Sequence, residues 1–394
     1  MGQFWAERQQ EDRRVRRLTS VKIWSDTLDL RHSGSIPPVG RPREINVTRF
    51  ILHIGPHKTG TTYLQVVLDT LRDALAERGV HIPSIWHPGP GNPGQAQLAR
   101  AVRDGEVAPT RATIWGILAR RPRYVVISAE DLCKLCLDDI VRLRQTLGHA
   151  SVEIVYYARR LSERLPSLWQ EKVKHGERAR LPEFLETYLM SERECAASDT
   201  AILDDYAAVF GRDTIKIVSY SYLTDHSHDI ARHFLASFLS FHDIVLPDIG
   251  RPNPSLPVFD VEAIRALNAM HALHGGERSA ALRNWYMSNR GCFDARPLYE
   301  VMGSHLGTIR LDERSRPLVL ASKDILARYA ASLVPPWDRT SLYDLRSTDV
   351  LFVEEAYLRD PVAASCLNEI YAQYRQSMTG KDGDHAGLST LPPV

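Results

Sequence analysis

The sequence has few cysteines, almost no net charge and no long apolar run, and each shortage excludes a class of protein. Five cysteines in 394 residues, an odd number in a large chain, argue against a disulfide framework and favour reduced thiols in a cytosol. The formal net charge is +1, so no overall field attracts nucleic acid or an anionic membrane. No apolar run is long enough to span a bilayer. We therefore expect a cytoplasmic protein with no nucleic-acid partner and no integral membrane segment.

Two further features carry little functional signal. The close cysteine pair Cys133-Lys134-Leu135-Cys136 has no second pair or histidine pair at zinc spacing, so we interpret it as buried structural thiols and expect no metal. The N-terminal segment, 1–47, is polar and arginine-rich and lacks the apolar core of a secretory signal. We expect this segment to be disordered or to drape over the folded domain.

The most informative feature is a glycine-rich turn between an apolar strand and an amphipathic helix. Residues 50–54 read as a buried strand, residues 61–78 read as a helix, and residues 55–60 form the turn between them. The first N–H groups of a helix lack partners and its dipole favours an anion there. Glycine allows the anion to approach closely. The side-chain donors that the turn offers are the Lys58 ammonium and the Thr61 and Thr62 hydroxyls. This combination predicts a site for a phosphate-like group.

The turn differs from the P-loop of nucleotide kinases in the place of its lysine. A P-loop reads G-x-x-x-x-G-K-[ST]. Gly55 and Gly60 keep the glycine spacing, but Thr61 stands where the lysine would be, and Lys58 lies inside the loop. The run Lys58-Thr59-Gly60-Thr61-Thr62 after a strand resembles the 5′-phosphosulfate loop of sulfotransferases that use 3′-phosphoadenosine-5′-phosphosulfate. The alternative is an ordinary strand–helix turn that binds nothing.

A second segment repeats the order found in that family. Residues 152–158 read as a buried strand, Arg159 follows directly, and Ser167 lies about two helical turns into the next element. An arginine can bind a phosphate through two parallel hydrogen bonds, and a serine hydroxyl can donate one more. The pair resembles the 3′-phosphate site of sulfotransferases. The alternative is a solvated helix start.

Fainter matches concern the adenine. Tyr220 follows the strand 215–219, and the resemblance implies that it and Tyr63 contact the purine, which an aromatic ring can stack on. Many family members carry acidic residues just after the tyrosine that matches Tyr220, whereas this chain has Ser221-Tyr222 there. Capping of the sheet by Tyr220 and core packing by Tyr63 are the alternatives. The stretch Asn253-Pro254-Ser255-Leu256 resembles one that lies near the co-substrate in bacterial members.

Transfer of a sulfuryl group needs charge stabilisation on the leaving oxygen and a base for the acceptor hydroxyl. Lys58 and the loop N–H groups would supply the first. Glu130, at the end of the strand 124–129, is the first candidate for the base, and carbohydrate and protein-tyrosine sulfotransferases resemble this chain in using Glu. The alternative is an N-cap or first-turn acid that starts the following helix. The fallback bases are His57, His53 and His87, of which His57 could instead contact the phosphosulfate.

The alternation of strands and helices predicts an α/β fold with a central parallel sheet flanked by helices, P-loop NTPase-like as the resemblance implies. Ligands in such sheets bind at the carboxyl ends of the strands. We expect a sulfotransferase core at 48–250, a mostly helical C-terminal part of the same domain at 251–379, and a disordered tail at 380–394. Further helices are predicted near 131–146, 161–175, 200–210, 228–240, 258–273, 319–333 and 350–377.

These features predict a transferase that moves a sulfuryl group from 3′-phosphoadenosine-5′-phosphosulfate to an acceptor hydroxyl without a metal. The acceptor, whether a glycan, a lipid-linked sugar, a protein or a small molecule, and the oligomeric state stay open. One alternative is a nucleotide-dependent phosphotransferase in which Lys58 contacts the γ-phosphate and Glu130 or Asp131 holds Mg²⁺. The other is a non-catalytic nucleotide-binding module. The absence of a lysine at position 61 argues against the phosphotransferase. The presence of the whole set of predicted donor-binding residues argues against the non-catalytic module: Lys58, Thr61, Thr62, Arg159 and Ser167.

Overall fold

A parallel sheet of five strands forms the centre of the protein. The structure, a computed structural model, describes residues 48–89, 93–190, 197–250, 255–312, 325, 328–334 and 347–382, and the predicted N-terminal segment lies outside them. The strands stand in the order β2-β3-β1-β4-β5, and every neighbouring pair is parallel. The strands are β1 (Arg49–His53), β2 (Val80–His81), β3 (Tyr124–Ser128), β4 (Ser151–Ala158) and β5 (Ile215–Ser219). Such strands are buried on both faces, which is why they read as continuous apolar runs.

Helices cover both faces of this sheet. Phe50 and Leu52 point into one apolar cluster with α3, α4, α5 and α8, whereas Ile51 points into another with α1, α2, α9 and α10. The helices are α1 (Thr61–Thr70), α2 (Arg72–Glu77), α3 (Ala96–Arg103), α4 (Val107–Leu118), α5 (Leu137–Leu147), α6 (Leu161–Lys174), α7 (Leu181–Met190), α8 (Ala197–Phe210), α9 (Tyr220–Asp225), α10 (Ile230–Leu239), α11 (Val258–Leu273), α12 (Ala281–Ser288), α13 (Arg296–Gly303) and α14 (Pro361–Asp382). The predicted fold class, a central parallel sheet flanked by helices with a strand–loop–helix unit at its centre, is confirmed.

Strand β1 is where the chain reverses its direction of winding. It pairs with β3 on one side and β4 on the other, with His53 opposite Ser128 and Val155. After β1 the chain forms β2 and β3 on one side of that strand, and then β4 and β5 on its other side. In open parallel sheets this switch point leaves a crevice at the carboxyl ends of the strands, where ligands bind.

The C-terminal part is mostly helical, as predicted, but it also contains an antiparallel pair of strands. These are β6 (Leu306–Asp312) and β7 (Ser347–Val353), paired from Leu306 with Val353 to Asp312 with Ser347. The helix predicted over 350–377 is therefore wrong at its start. Val350 and Phe352 are half-buried while Leu351 is exposed, and side chains that point alternately to opposite faces are typical of a strand. The helix itself begins at Pro361, a residue favoured at the first helical position.

A third apolar cluster joins this part to the core. One face of α6, with Leu165, Trp169 and Val173, packs against α11 and, through the same cluster, α12, α13, β7 and α14. Helix α6 thus belongs to the same apolar cluster as the C-terminal helices. Most of the helix predicted near 319–333, and the tail beyond residue 382, lie outside the described residues. Within the described ranges, no helix combines the length and apolarity needed to cross a bilayer.

Candidate active site

A cleft of about 1070 Å³ opens at the carboxyl edge of the sheet, between the loop after β1 and helices α6 and α10. Most of the residues predicted from the sequence line it. These are His57, Lys58, Gly60, Thr61, Thr62, Tyr63, Glu130, Arg159, Ser167 and Tyr220. Gly55 and Thr59 do not line the cleft and instead shape the loop. Ser255, from the stretch resembling bacterial sulfotransferases, also lines it, whereas residues 253 and 254 lie outside the described part.

The loop after β1 approaches its neighbours so closely that glycine is required twice. Gly55 has φ 98°, and a Cβ there would lie 3.2 Å from Cα of Glu130. Gly60 is the N-cap of α1 with φ 72°, and a Cβ there would lie 3.1 Å from the Tyr220 ring. A positive φ is readily adopted only by glycine. Gly55 therefore brings the loop against Glu130, and Gly60 brings it against Tyr220.

Lys58 also adopts a left-handed backbone conformation, with φ 70°. Such a conformation costs a non-glycine residue roughly 1–3 kcal/mol and persists only where the surroundings hold it. Two hydrogen bonds do so here. Arg159 Nη1 donates to the carbonyl oxygen of Lys58 at 2.6 Å, and Thr59 Oγ1 donates to the carbonyl oxygen of Pro56 at 2.7 Å. The loop conformation is therefore stabilised by a hydrogen bond inside the loop, from Thr59, and by Arg159, the residue predicted to bind the 3′-phosphate.

The N-terminus of α1 fits an anion. Its N-cap residue, Gly60, offers no side-chain hydrogen bond to the first N–H groups. Thr61 is 3% exposed, and its Oγ1 is buried without a hydrogen-bond partner among the described residues. A buried hydroxyl left unpaired costs about 1–3 kcal/mol. Since Thr61 lines the cleft, a ligand rich in acceptor oxygens would satisfy both its hydroxyl and the helix N–H groups.

Arg159 and Ser167 lie in the same cleft, as predicted. The Arg159 guanidinium lies 5.4 Å from the centre of the Tyr220 ring, and its Nε lies 3.5 Å from Glu163 Oε2. Ser167 Oγ donates to the carbonyl oxygen of Glu163 one turn earlier in α6, at 3.1 Å. A phosphate would offer both groups a stronger, charge-assisted partner. The positions of these residues are compatible with the predicted role.

Glu130 begins a 3₁₀ turn after β3 and faces His57 across the cleft's rim. Its Oε1 lies 3.2 Å from His57 Nδ1, and His57 Nε2 lies 3.7 Å from Asp131 Oδ1. The N-cap of this turn is Ala129, with no side-chain hydrogen bond, so the Glu130 carboxylate does not cap it. Among the described residues, no group of three or more His, Cys, Asp or Glu side chains is arranged to hold a metal ion.

The fallback bases His53 and His87 do not line the cleft. His53 is fully buried in β1, where its Nδ1 lies 2.8 Å from Ser128 Oγ. Burial lowers the pKa of His53 to about 3. His87 lies beside Gln95, at 3.4 Å between their nitrogens. Of the three histidines, His57 alone has access to the cleft.

The sequence pattern did not identify two charged residues of α6 that line the cleft, Glu171 and Lys174. Lys58 Nζ donates to Glu171 Oε2 at 2.5 Å, and Lys174 Nζ lies 3.5 Å from the same oxygen. Burial opposes ionisation of Glu171, but the hydrogen bond from Lys58 and the charges of Lys58 and Lys174 outweigh it and lower its pKa to about 2. Their spacing from Ser167, four and seven residues on, places all three on one helix face, and this signal was present in the sequence.

The two tyrosines predicted for the adenine both line the cleft. Tyr63 OH donates to Asp229 Oδ2 at 2.6 Å, and Asp229 also caps α10 by accepting from the Arg232 backbone N–H at 2.9 Å. Burial, followed by the hydrogen bond and charge of Asp229, raises the pKa of Tyr63 to about 12. Tyr220 lies between Gly60 and Arg159. Both rings are therefore anchored, and both face the cleft.

Comparison with known proteins adds little to this geometry. No protein-family model matches the sequence, and no curated protein matches it significantly. The crystal structure of a sulfotransferase from Alicyclobacillus acidocaldarius aligns with 58% of this chain and 96% of its own length, at 19% sequence identity and a TM-score of 0.34. A likeness at that TM-score carries no argument about activity.

Proposed function

We propose that the protein is a sulfotransferase that moves a sulfuryl group from 3′-phosphoadenosine-5′-phosphosulfate to an acceptor hydroxyl. The observation that carries the proposal is the buried, unpaired Thr61 hydroxyl at the uncapped N-terminus of α1, beside Lys58. A second cationic group, Arg159, lies in the same cleft with Ser167. Together they offer two places for anionic groups, as a donor with a 5′-phosphosulfate and a 3′-phosphate requires.

In this proposal each part of the cleft binds one part of the donor. The α1 N-terminus, with the Thr61 and Thr62 hydroxyls, holds the 5′-phosphosulfate. Arg159 and Ser167 hold the 3′-phosphate. The third contact is with the adenine, which Tyr63 and Tyr220 bind through their ring faces.

The reaction exchanges one S–O bond for another. The bond between sulfur and the bridging oxygen of the donor breaks, and its electron pair leaves on the phosphate. A new bond forms between sulfur and the acceptor oxygen, whose proton passes to Glu130. Lys58 stabilises the negative charge that develops on the leaving oxygen. His57, 3.2 Å from Glu130, orients the carboxylate towards the cleft.

A nucleotide-dependent phosphotransferase is the second candidate. The Glu130 and Asp131 carboxylates flank the two nitrogens of His57 at the rim, and neighbouring carboxylates suit Mg²⁺. The lysine position argues for the sulfotransferase, because Lys58 rather than residue 61 supplies the cation.

Thermal unfolding with added nucleotides separates the two candidates. A ligand that binds the folded state raises the melting temperature according to its concentration and dissociation constant. We expect 3′-phosphoadenosine-5′-phosphate to stabilise the protein, and ATP with Mg²⁺ to have little effect. A matched control is Arg103→Ala on the exposed side of α3, which should respond like the unmodified protein. Stabilisation by ATP with Mg²⁺ alone would favour the phosphotransferase.

A further inference from the structure

Two lysine ammonium groups approach the same carboxylate oxygen of Glu171. Lys58 Nζ donates to Oε2 at 2.5 Å, and Lys174 Nζ lies 3.5 Å from that oxygen. All three side chains line the cleft. Lys58 belongs to the loop after β1, whereas Lys174 lies on α6 about one helical turn after Glu171. One carboxylate therefore serves a cation of the loop and a cation of its own helix.

The contact with Lys174 is longer than the hydrogen bond that this ammonium group could form. Charge-assisted N–H···O bonds are usually about 2.7–2.9 Å long, and Lys58 occupies the nearer position at Oε2. Burial lowers the pKa of Lys174, the charge of Glu171 opposes this, and the charge of Lys58 lowers it further. If Lys58 moves away, Lys174 loses a neighbouring like charge and reaches Oε2 by moving less than about 1 Å.

The third cationic partner of Glu171 is less suited to replace Lys58. His175 Nε2 lies 3.3 Å from the other oxygen, Oε1, and its side chain is 65% exposed. Exposed partners contribute little, because water and salt screen them. The side chain of Lys174 is only 9% exposed, and a buried charge is costly unless it is paired. Lys174 therefore stays with Glu171 when Lys58 leaves.

We propose that Lys174 is a positioning residue for Lys58, which takes over Oε2 of Glu171 when the phosphosulfate end of the donor draws Lys58 away. The exchange keeps these charges paired, because Lys58 gains the oxygens of the donor and Glu171 keeps a lysine. It eases the movement of Lys58 without any contact between Lys174 and the donor. The inference rests on the proposed function, because it concerns the lysine that acts on the leaving oxygen.

A double-mutant cycle with Glu171 tests the exchange. The measured quantity is the dissociation constant of 3′-phosphoadenosine-5′-phosphate, obtained by calorimetry. Lys174→Met keeps the apolar stem and removes the charge, so that release of Lys58 leaves Glu171 without a lysine. We expect this variant to bind the nucleotide about fivefold more weakly than the unmodified protein. In the Glu171→Gln background the carboxylate is gone, and Lys174→Met should change the affinity by less than about twofold.

Further variants separate the exchange from a structural role. Lys174→Arg restores a cation and should recover most of the affinity. Lys172→Met removes a charge from an exposed position two residues away, and His175→Gln removes the exposed partner of Oε1; both should leave the affinity unchanged. The melting temperature of Lys174→Met should stay near that of the unmodified protein, because Glu171 keeps its hydrogen bond from Lys58. A lowered melting temperature with the same loss of affinity in both backgrounds would overturn the inference.

Two failures are distinguishable. If the proposed function is wrong, 3′-phosphoadenosine-5′-phosphate does not bind to the unmodified protein, and the inference falls with it. If only the exchange is wrong, the nucleotide binds, but Lys174→Met weakens binding equally in both backgrounds, as loss of a direct contact would, or weakens it in neither.

Discussion

The Lys58 ammonium donates a 2.5 Å hydrogen bond to Glu171 Oε2 and thereby joins the loop after β1 to the last turns of α6. The pair spans 113 residues of sequence and lies in the cleft wall. The cation proposed to act on the leaving group is therefore already held by a carboxylate. Donor binding must compete with Glu171 for Lys58.

Glu171→Gln tests this competition. Gln keeps the size of Glu171 and removes its charge, so the donor no longer has to break an ion pair. Partly exposed ion pairs contribute about 1 kcal/mol or less, and we expect 3′-phosphoadenosine-5′-phosphate to bind up to about fivefold more tightly by calorimetry. Glu186→Gln, at an exposed position on α7, is the control. Weaker binding to Glu171→Gln than to the control would show that the carboxylate supports the site.

Lys58→Ala should affect turnover far more than binding. The lysine charge acts on the developing negative charge of the leaving oxygen, and such interactions raise the rate only when they strengthen in the transition state. We expect kcat to fall about a hundredfold or more, with a smaller change in the dissociation constant of 3′-phosphoadenosine-5′-phosphate. Lys172→Ala should change neither quantity. Equal losses of turnover and affinity would identify Lys58 as a binding residue only.

Arg159→Ala and Ser167→Ala should impair recognition of the 3′-phosphate. The measurement is the ratio of dissociation constants for 3′-phosphoadenosine-5′-phosphate and 5′-AMP, which lacks that group. We expect the ratio to shift by about tenfold or more for Arg159→Ala and by less for Ser167→Ala, because a charged donor is lost only in the first.

Arg159 also holds the carbonyl oxygen of Lys58, so both affinities will fall somewhat in that variant, and the ratio rather than either constant is decisive. Arg103→Ala serves as the control. A ratio unchanged in both site variants would remove Arg159 and Ser167 from the 3′-phosphate site.

Glu130→Gln separates the two interpretations of Glu130. As the base, Glu130 cannot be replaced by Gln without a loss of about a hundredfold or more in kcat. Nucleotide affinity and melting temperature should stay near those of the unmodified protein, because Glu130 does not cap its turn. Asp131→Asn, next along the chain, should keep most activity. Intact kcat with a lowered melting temperature would instead indicate a structural role and move the base to His57.

His53 should make the protein sensitive to mild acid. Its pKa is lowered by burial from 6.5 to about 3, so the unfolded chain binds a proton that the folded chain does not. The contribution of His53 is therefore present above about pH 6.5 and is lost as the pH falls towards 3, at up to about 1.4 kcal/mol per pH unit.

The measurement is the free energy of unfolding in urea between about pH 7 and pH 4. His53→Asn should flatten this dependence whatever its effect at neutral pH. His149→Asn, at an exposed position, should not. The same slope in both variants would mean that the His53 proton is not excluded by the fold.

Local patterns were sufficient to predict the elements that carry the site. The strands β1, β3, β4 and β5 and the helix α6 lie within a residue or two of their predicted positions, because runs of buried residues and helical periodicity are properties of neighbouring positions. The turn 55–60 could also be predicted from the sequence, because the positive φ values at positions 55 and 60 favour glycine. The antiparallel strand β7 was misread as helix because its pairing partner, β6, lies about forty residues away.

The sequence by itself determined which functional groups are available for binding. These are a lysine inside the loop after β1, hydroxyl groups at the N-terminus of α1, and an arginine and a serine that follow strand β4. Only the tertiary structure decided how they are paired. Lys58 is held by Glu171, Arg159 supports the backbone of Lys58, and His53 is closed off from the cleft that His57 lines. The reason is physical: α6 reaches the loop because its opposite face is fixed by apolar contacts to the C-terminal helices, and contacts between such distant segments depend on how whole elements pack.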